Sequence, residues 1–296
     1  MRRFMKVLKA IGKGILVLAA VLVVALLVLR WTFSRQLNTE IAAIRARGEP
    51  LTMADLAGPD APDSQNAALI YAQIIDRIAT DDFGEMLGDI ARNSDDAGAF
   101  NRLRLAVERH QDLLPLIEHA SSMPHCDFSV DRGDGRTPDA ARMWRLAQFL
   151  RANTLVNART GGIDRAIDSA ELGLKTSRAV NRDPDALSFF TSGSMISIAC
   201  RSIIEITEYS DMSEAQARRL CGALADVDFR SQYVLFLQKV RALFLDTAKK
   251  QHDDPKGWIA EQYGPAQIPR GPLYLYPLGL IWLKVIFVGD QVAFLR

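Results

Sequence analysis

The chain has 296 residues, 49% of them hydrophobic, with 36 basic and 35 acidic side chains and three cysteines. Six of the basic residues and none of the acidic ones precede Ser34, so residues 34–296 carry 30 basic and 35 acidic groups, a net charge of −5. A mildly acidic body lacks the positive footprint that nucleic-acid binding needs, so no nucleic-acid partner is expected.

Residues 1–13 are a basic segment with Arg2, Arg3, Lys6, Lys9 and Lys13, and no acidic residue occurs before Glu40. Residues 14–33 follow as GILVLAAVLVVALLVLRWTF. At a rise of about 1.5 Å per residue, some twenty residues cover the hydrocarbon core of a bilayer. The basic flank keeps the N-terminus in the cytoplasm and sends the rest of the chain across. The C-terminal flank, Leu29-Arg30-Trp31-Thr32-Phe33-Ser34-Arg35, offers no small-x-small cleavage site. The segment therefore reads as an uncleaved signal anchor rather than a removed signal peptide. This expectation makes the protein single-pass in a bacterial cytoplasmic membrane, with its main domain periplasmic.

Residues 34–62 read as a juxtamembrane helix and a connector. Leu37, Ile41 and Ile44 share a helical face, Gly48-Glu49-Pro50 stops it, and residues 50–63 look extended. Residues 63–272 read as an α-helical domain. Asp63 or Ser64 is placed to cap a helix through Tyr71 and Ile75. FGEMLGDIA from Phe83 suggests a short helix or turn. Residues 97–122 suggest one or two helices that Pro115 bends or divides. A loop with a short extended piece at 126–130 follows, and Thr137-Pro138 suits the start of a helix through Leu155. Gly161-Gly162 ends that helix, Asp164 opens another, and a long apolar helix covers about 186–209. Ser213 with Gln216 forms a capping-box pattern, and a last helix spans about 230–252. No strand is expected, so the fold class is all-α: one N-terminal transmembrane helix plus an exoplasmic domain of stacked helical hairpins. Residues 273–296 are hydrophobic but contain Pro277, Lys284 and Asp290, which favours docking or an interfacial position over a second span.

Several of these pieces occur in a characteristic order. Gly48-Glu49-Pro50 ends a helix, Asn66-Ala67-Ala68 opens one, and Cys126-Asp127-Phe128-Ser129-Val130 follows. Then come Leu146-Ala147-Gln148-Phe149-Leu150 and Gly162-Ile163-Asp164-Arg165-Ala166-Ile167. This order resembles uncharacterised membrane-anchored helical proteins of bacterial genomes, notably planctomycetes, although Gly-Ile-Asp stands where Gly-Asp is usual. The resemblance implies fold and topology and transfers no catalytic residue. Residues 162–174 are also similar to one tetratricopeptide-like hairpin, but no period near 34 residues recurs.

Candidate chemistry is sparse. His119 and His125-Cys126 lack the spacing of a zinc motif, so no metal site is assigned. Asp131, Asp134 and Asp139 fail the calcium-loop order and suit a polar turn around Arg132-Gly133-Asp134. Ser192-Gly193-Ser194 is not a nucleophile elbow, because no strand precedes it. His252-Asp253-Asp254 and Glu261 suit a solvated helix end, where cations complement the dipole. Cys126, Cys200 and Cys221 read as apolar thiols, with Cys200–Cys221 the pair nearest along the chain if the compartment is oxidising. No catalytic, cofactor-binding or metal residue is therefore assigned, and no cofactor is expected. The leading expectation is a membrane-tethered interaction or scaffold protein with a protein partner. The alternatives are an envelope hydrolase using carboxylates with His125 or His252, and a lipid- or small-ligand-binding helical domain.

Overall fold

The computed structural model describes residues 2–57, 62–128 and 140–253. The expected start at Thr137-Pro138, the aspartates 131, 134 and 139, Asp254, Glu261 and the segment 273–296 lie outside the described residues. Among the described residues the protein is all-helical, with eleven α-helices and a single isolated bridge between Asn66 and His125. The chain divides into two compact units, one holding residues up to Leu56 and from Val240 onward, the other Ala57–Lys239.

In the first unit, α1 (Arg2–Ala46) is one continuous helix that runs through the apolar segment and on to Ala46. No glycine or proline interrupts residues 15–47, so nothing breaks the ladder. Its large apolar residues from Leu16 to Trp31, Leu26 apart, stand 46–72% exposed, and the helix is long and apolar enough to cross a membrane. Gly48, at φ +69, ends it. The Gly48 N–H donates to Arg45 O, and the Glu49 N–H reaches back to Ile44 O. Such a left-handed turn is cheap only for glycine, which is why the helix stops there. The residues after Pro50 are not extended throughout: α2 (Met53–Ala57) forms one turn. The Asp55 carboxylate accepts from the Leu51 and Thr52 N–H groups at 3.0 Å each, and Thr52 Oγ1 accepts from the Asp55 N–H. These bonds hold the Asp55 carboxyl below its ordinary value.

The second unit carries the main core. Its first helix, α3 (Ala67–Ile78), is capped by Asn66 rather than by Asp63 or Ser64, which fall in a preceding 3-10 turn. Then come α4 (Phe83–Arg92) and α5 (Ala97–Arg109), whose caps Asp82 and Asp96 accept from the Glu85 and Ala99 N–H groups at 2.9 Å. The expected division of residues 97–122 occurs at His110. Pro115 sits in the first turn of α6 (Leu114–Ser122), where its missing N–H leaves no ladder bond unmade.

Three long helices follow: α7 (Met143–Arg159), α8 (Ile163–Val180) and α9 (Leu187–Tyr209), each packed on the other two. Gly161, at φ +80, turns the chain between α7 and α8. The capping box forms as expected at the start of α10 (Glu214–Ala225), which packs on α8. The last helix, α11 (Phe229–Asp253), contributes its first residues to this unit. α9 also has the length and composition of a span, but a third of its apolar window is buried. On it, Glu205 is inside the fold, paired with Arg151 of α7.

Candidate functional site

The residues singled out in the sequence do not converge. His119 is exposed in the last turn of α6, and Ser122 Oγ donates to its carbonyl. His125 is half-buried, and its carbonyl accepts from the Ala67 N–H at 2.9 Å. Ser192 is buried and donates to Ser177 O at 2.9 Å, whereas Ser194 is exposed on the same helix and donates to Phe190 O. The three thiols are free: Cys126 is buried, Cys200 half-buried and Cys221 exposed. Among the described residues no group of three or more His, Cys, Asp or Glu side chains is placed to hold a metal ion.

What the fold does assemble is a buried polar cluster that no local pattern announced. Asn66, 2% exposed, ties it to α3: its Oδ1 accepts from the Ala68 N–H (3.1 Å) and the Asp127 N–H (2.9 Å), while its Nδ2 donates to Asp127 O at 2.9 Å. The next residue, Phe128, donates its N–H to Asp183 Oδ1 at 3.1 Å. Ser188 Oγ donates to the other oxygen of Asp183, and Arg182 donates to Met123 O. From α11, Lys239 reaches in and donates from Nζ to Asn181 O at 2.8 Å.

Asp183 and Lys239 are each 1% exposed. Burial pushes the Asp183 carboxyl up to about 6, against the two hydrogen bonds it accepts. Burial likewise pulls the Lys239 ammonium down to about 8, against the pull of Asp183 and Asp185. The Cys126 thiol and the Tyr71 phenol beside them are raised by the same loss of water. The Tyr71 hydroxyl makes no well-formed hydrogen bond, and Thr176 is the polar side chain that acts on it. Perturbed groups often mark a reactive site, but reaction requires a substrate to reach them. With Asp183, Lys239, Cys126 and Tyr71 all at 2% exposure or less, this cluster is a sealed polar joint between α3, the 125–128 loop, the α8–α9 turn and α11.

A second constellation lies where α3 gives way to α4. His110 Nε2 and Asp81 Oδ2 are 2.8 Å apart, and Arg109 Nη1 donates to both Asp81 oxygens at 2.9 and 3.0 Å. The His110 ring meets Phe83 and Phe149 edge-on. Sequence reasoning passed over His110, since its carboxylate partner is 29 residues away. A cleft of about 120 Å³ adjoins, lined by Asp81, Asp82, Phe83, Gly84, Trp144 and Gln148 among others. His110 does not line it, and Asp81, which does, is already engaged by His110 and Arg109, so the pair fixes the α3–α4 turn against α5.

The third feature is a surface. At the start of α9 and along the first turns of α11, Leu187, Phe190, Phe229, Tyr233, Val234 and Leu237 are 46–65% exposed. Phe189 and Phe236 stack beneath them at 4.5 Å between ring centroids, with Phe190 edge-on to Phe236 at 5.3 Å. Tyr233 lies 6.2 Å from Phe236. Residues 229, 233 and 237 recur every four positions, so they form one stripe of the helix. Clustered exposed apolar side chains mark places where a protein meets a partner more often than scattered ones do.

No protein-family model matches the chain, and neither does any curated protein or any solved structure.

Proposed function

We propose that the protein is a membrane-tethered helical interaction module of the cell envelope, acting through the aromatic face of α9 and α11. The observation that carries this reading is that face. Six large apolar side chains are exposed around stacked rings, whereas the polar cluster of Asp183 and Lys239 is buried. Aromatic residues held rigidly by their neighbours are the side chains that dominate protein contacts, because little rotamer entropy is lost when they are covered.

α1 supplies the tether. Its basic N-terminal flank favours a cytoplasmic start, a single pass through a bacterial inner membrane and a periplasmic domain of helical hairpins. The resemblance to membrane-anchored helical proteins supports the same topology. The experiment is crosslinking in membranes of the full-length tagged protein, followed by identification of what is captured. The reading expects an envelope protein that is captured reproducibly, lost in Leu237→Arg, and kept when all four histidines are replaced. Capture that ignores Leu237→Arg and fails without the histidines would refute it and favour chemistry.

A further inference from the structure

Resting on that reading, we propose that the aromatic face pairs with the same face of a second copy of this chain. The first argument is area. Fully covered aromatic side chains bury on the order of 150–250 Å² each. Phe190, Phe229 and Tyr233 at about half exposure, with the smaller Leu187, Val234 and Leu237, offer on the order of 500 Å² of apolar surface per copy. With a polar rim, this approaches the roughly 800 Å² per partner of a standard stable interface.

The second argument is shape. The stripe Phe229, Tyr233, Leu237 runs along one helix, and Leu187 and Phe190 flank it from α9. A stripe on a straight helix is complementary to itself about a two-fold axis, with side chains of one copy seated between successive turns of the other. Isologous contacts of this kind are the commonest route to a dimer.

Next to the face along the chain stand Asp185, Asp228 and Arg230, all exposed, with Asp228 also accepting from Ser231. Two copies related by a two-fold axis can set the arginine of each against an aspartate of the other. An anionic lipid surface would instead call for a basic rim, and the body as a whole is acidic.

The test uses the full-length protein in mild detergent, with mass read by light scattering after size exclusion. Two chains per particle are expected in the wild type, and one in Leu237→Arg and in Phe190→Arg, each with unchanged circular dichroism. A gentler probe guards against a misfolded variant: Leu237→Cys in a Cys200→Ser, Cys221→Ser background, treated in membranes with a short bis-maleimide. Crosslinked dimer should rise at least tenfold over the background without the new cysteine. Two chains that persist in both arginine variants, with no crosslink through position 237, would place the dimer contact elsewhere and overturn the proposal. One chain in the wild type would also overturn it. If a fluorophore at position 237 of that single chain is quenched by brominated lipid, the bilayer covers the face. If the single chain still loses a captured envelope protein in Leu237→Arg, the interaction reading survives without self-pairing. If nothing captured depends on the face, both readings fall.

Discussion

Asp183 and Lys239, buried in the same cluster, make stability depend on pH, because burial opposes the charged form of both groups. The Asp183 carboxyl titrates near 6 in the fold against an ordinary value of 3.8. Between about pH 4 and 6 the folded state thus holds a proton that the unfolded chain has lost, and stability falls as pH rises through that window. Lys239 titrates near 8 in the fold against 10.5. From about pH 8 to 10.5 the unfolded chain keeps a proton that the folded state has released, so stability rises with pH there. A shift of about two units corresponds to about 3 kcal/mol on each limb. Together they give a trough of stability between about pH 6 and 8. The perturbations are Asp183→Asn, Lys239→Met and the double variant, followed by urea unfolding with circular dichroism across pH 4–10. Asp183→Asn should remove the acid limb and Lys239→Met the alkaline one. At pH 7 each single variant should lose stability. Asn at position 183 keeps one acceptor for two donors, and Met at 239 leaves Asn181 O without its donor at a cost of about 1–3 kcal/mol. These hydrogen-bond losses persist in the double variant, so it should recover only the part of each single loss that comes from the lone charge left buried. Difference curves that are flat with pH would refute the argument, as would a double variant less stable than the sum of the singles.

Arg151 holds Glu205 through Nε at 3.0 Å and Nη2 at 2.5 Å, with the Glu205 side chain 5% exposed. Arg151→Ala should cost about 3–5 kcal/mol, since Arg201 at 3.5 Å compensates only in part, and a lowered urea midpoint would show it. Asn66→Ala removes a helix cap and both bonds to Asp127; about 2–3 kcal/mol is expected. Hydrogen exchange should then quicken at residues 125–128 and in the first turn of α3, and unchanged protection there would refute the stapling role. Gly161→Ala places a Cβ at φ +80 with open space around it, so strain alone should cost about 1–2 kcal/mol, read as a lowered thermal midpoint.

Much of the helix inventory was legible along the chain because its signals are local. Gly48 and Gly161 stop helices wherever the backbone needs a left-handed turn, and Ser213 with Gln216 closes a capping box from two side chains three residues apart. Where expectation and structure part, a longer-range or competing contact decides. Asp63 and Ser64 are good caps, but Asn66 wins because its amide also binds Asp127, 61 residues away. Pro115 does not divide its segment, because the first turn of a helix tolerates it. The short turn after Pro50 was hidden because Asp55 folds it through backbone donors that precede it.

The sealed cluster and the aromatic face were illegible for the same reason. His110 with Asp81, Asp183 with Ser188 and Phe128, and Lys239 with Asn181 are pairings between residues up to 58 positions apart along the chain. Phe189 and Phe190 meet Phe236 only because the fold brings α9 and α11 together there, 46 or more residues apart along the chain, and Phe190 stays exposed. The sequence by itself determined an all-helical chain with an apolar N-terminal helix long enough to span a membrane, since periodicity, caps and hydropathy act over a few residues. Which polar groups meet inside, and which apolar ones stay in water, was decided by tertiary structure alone. Burial is a property of neighbours brought together in space, and no local pattern encodes who those neighbours are.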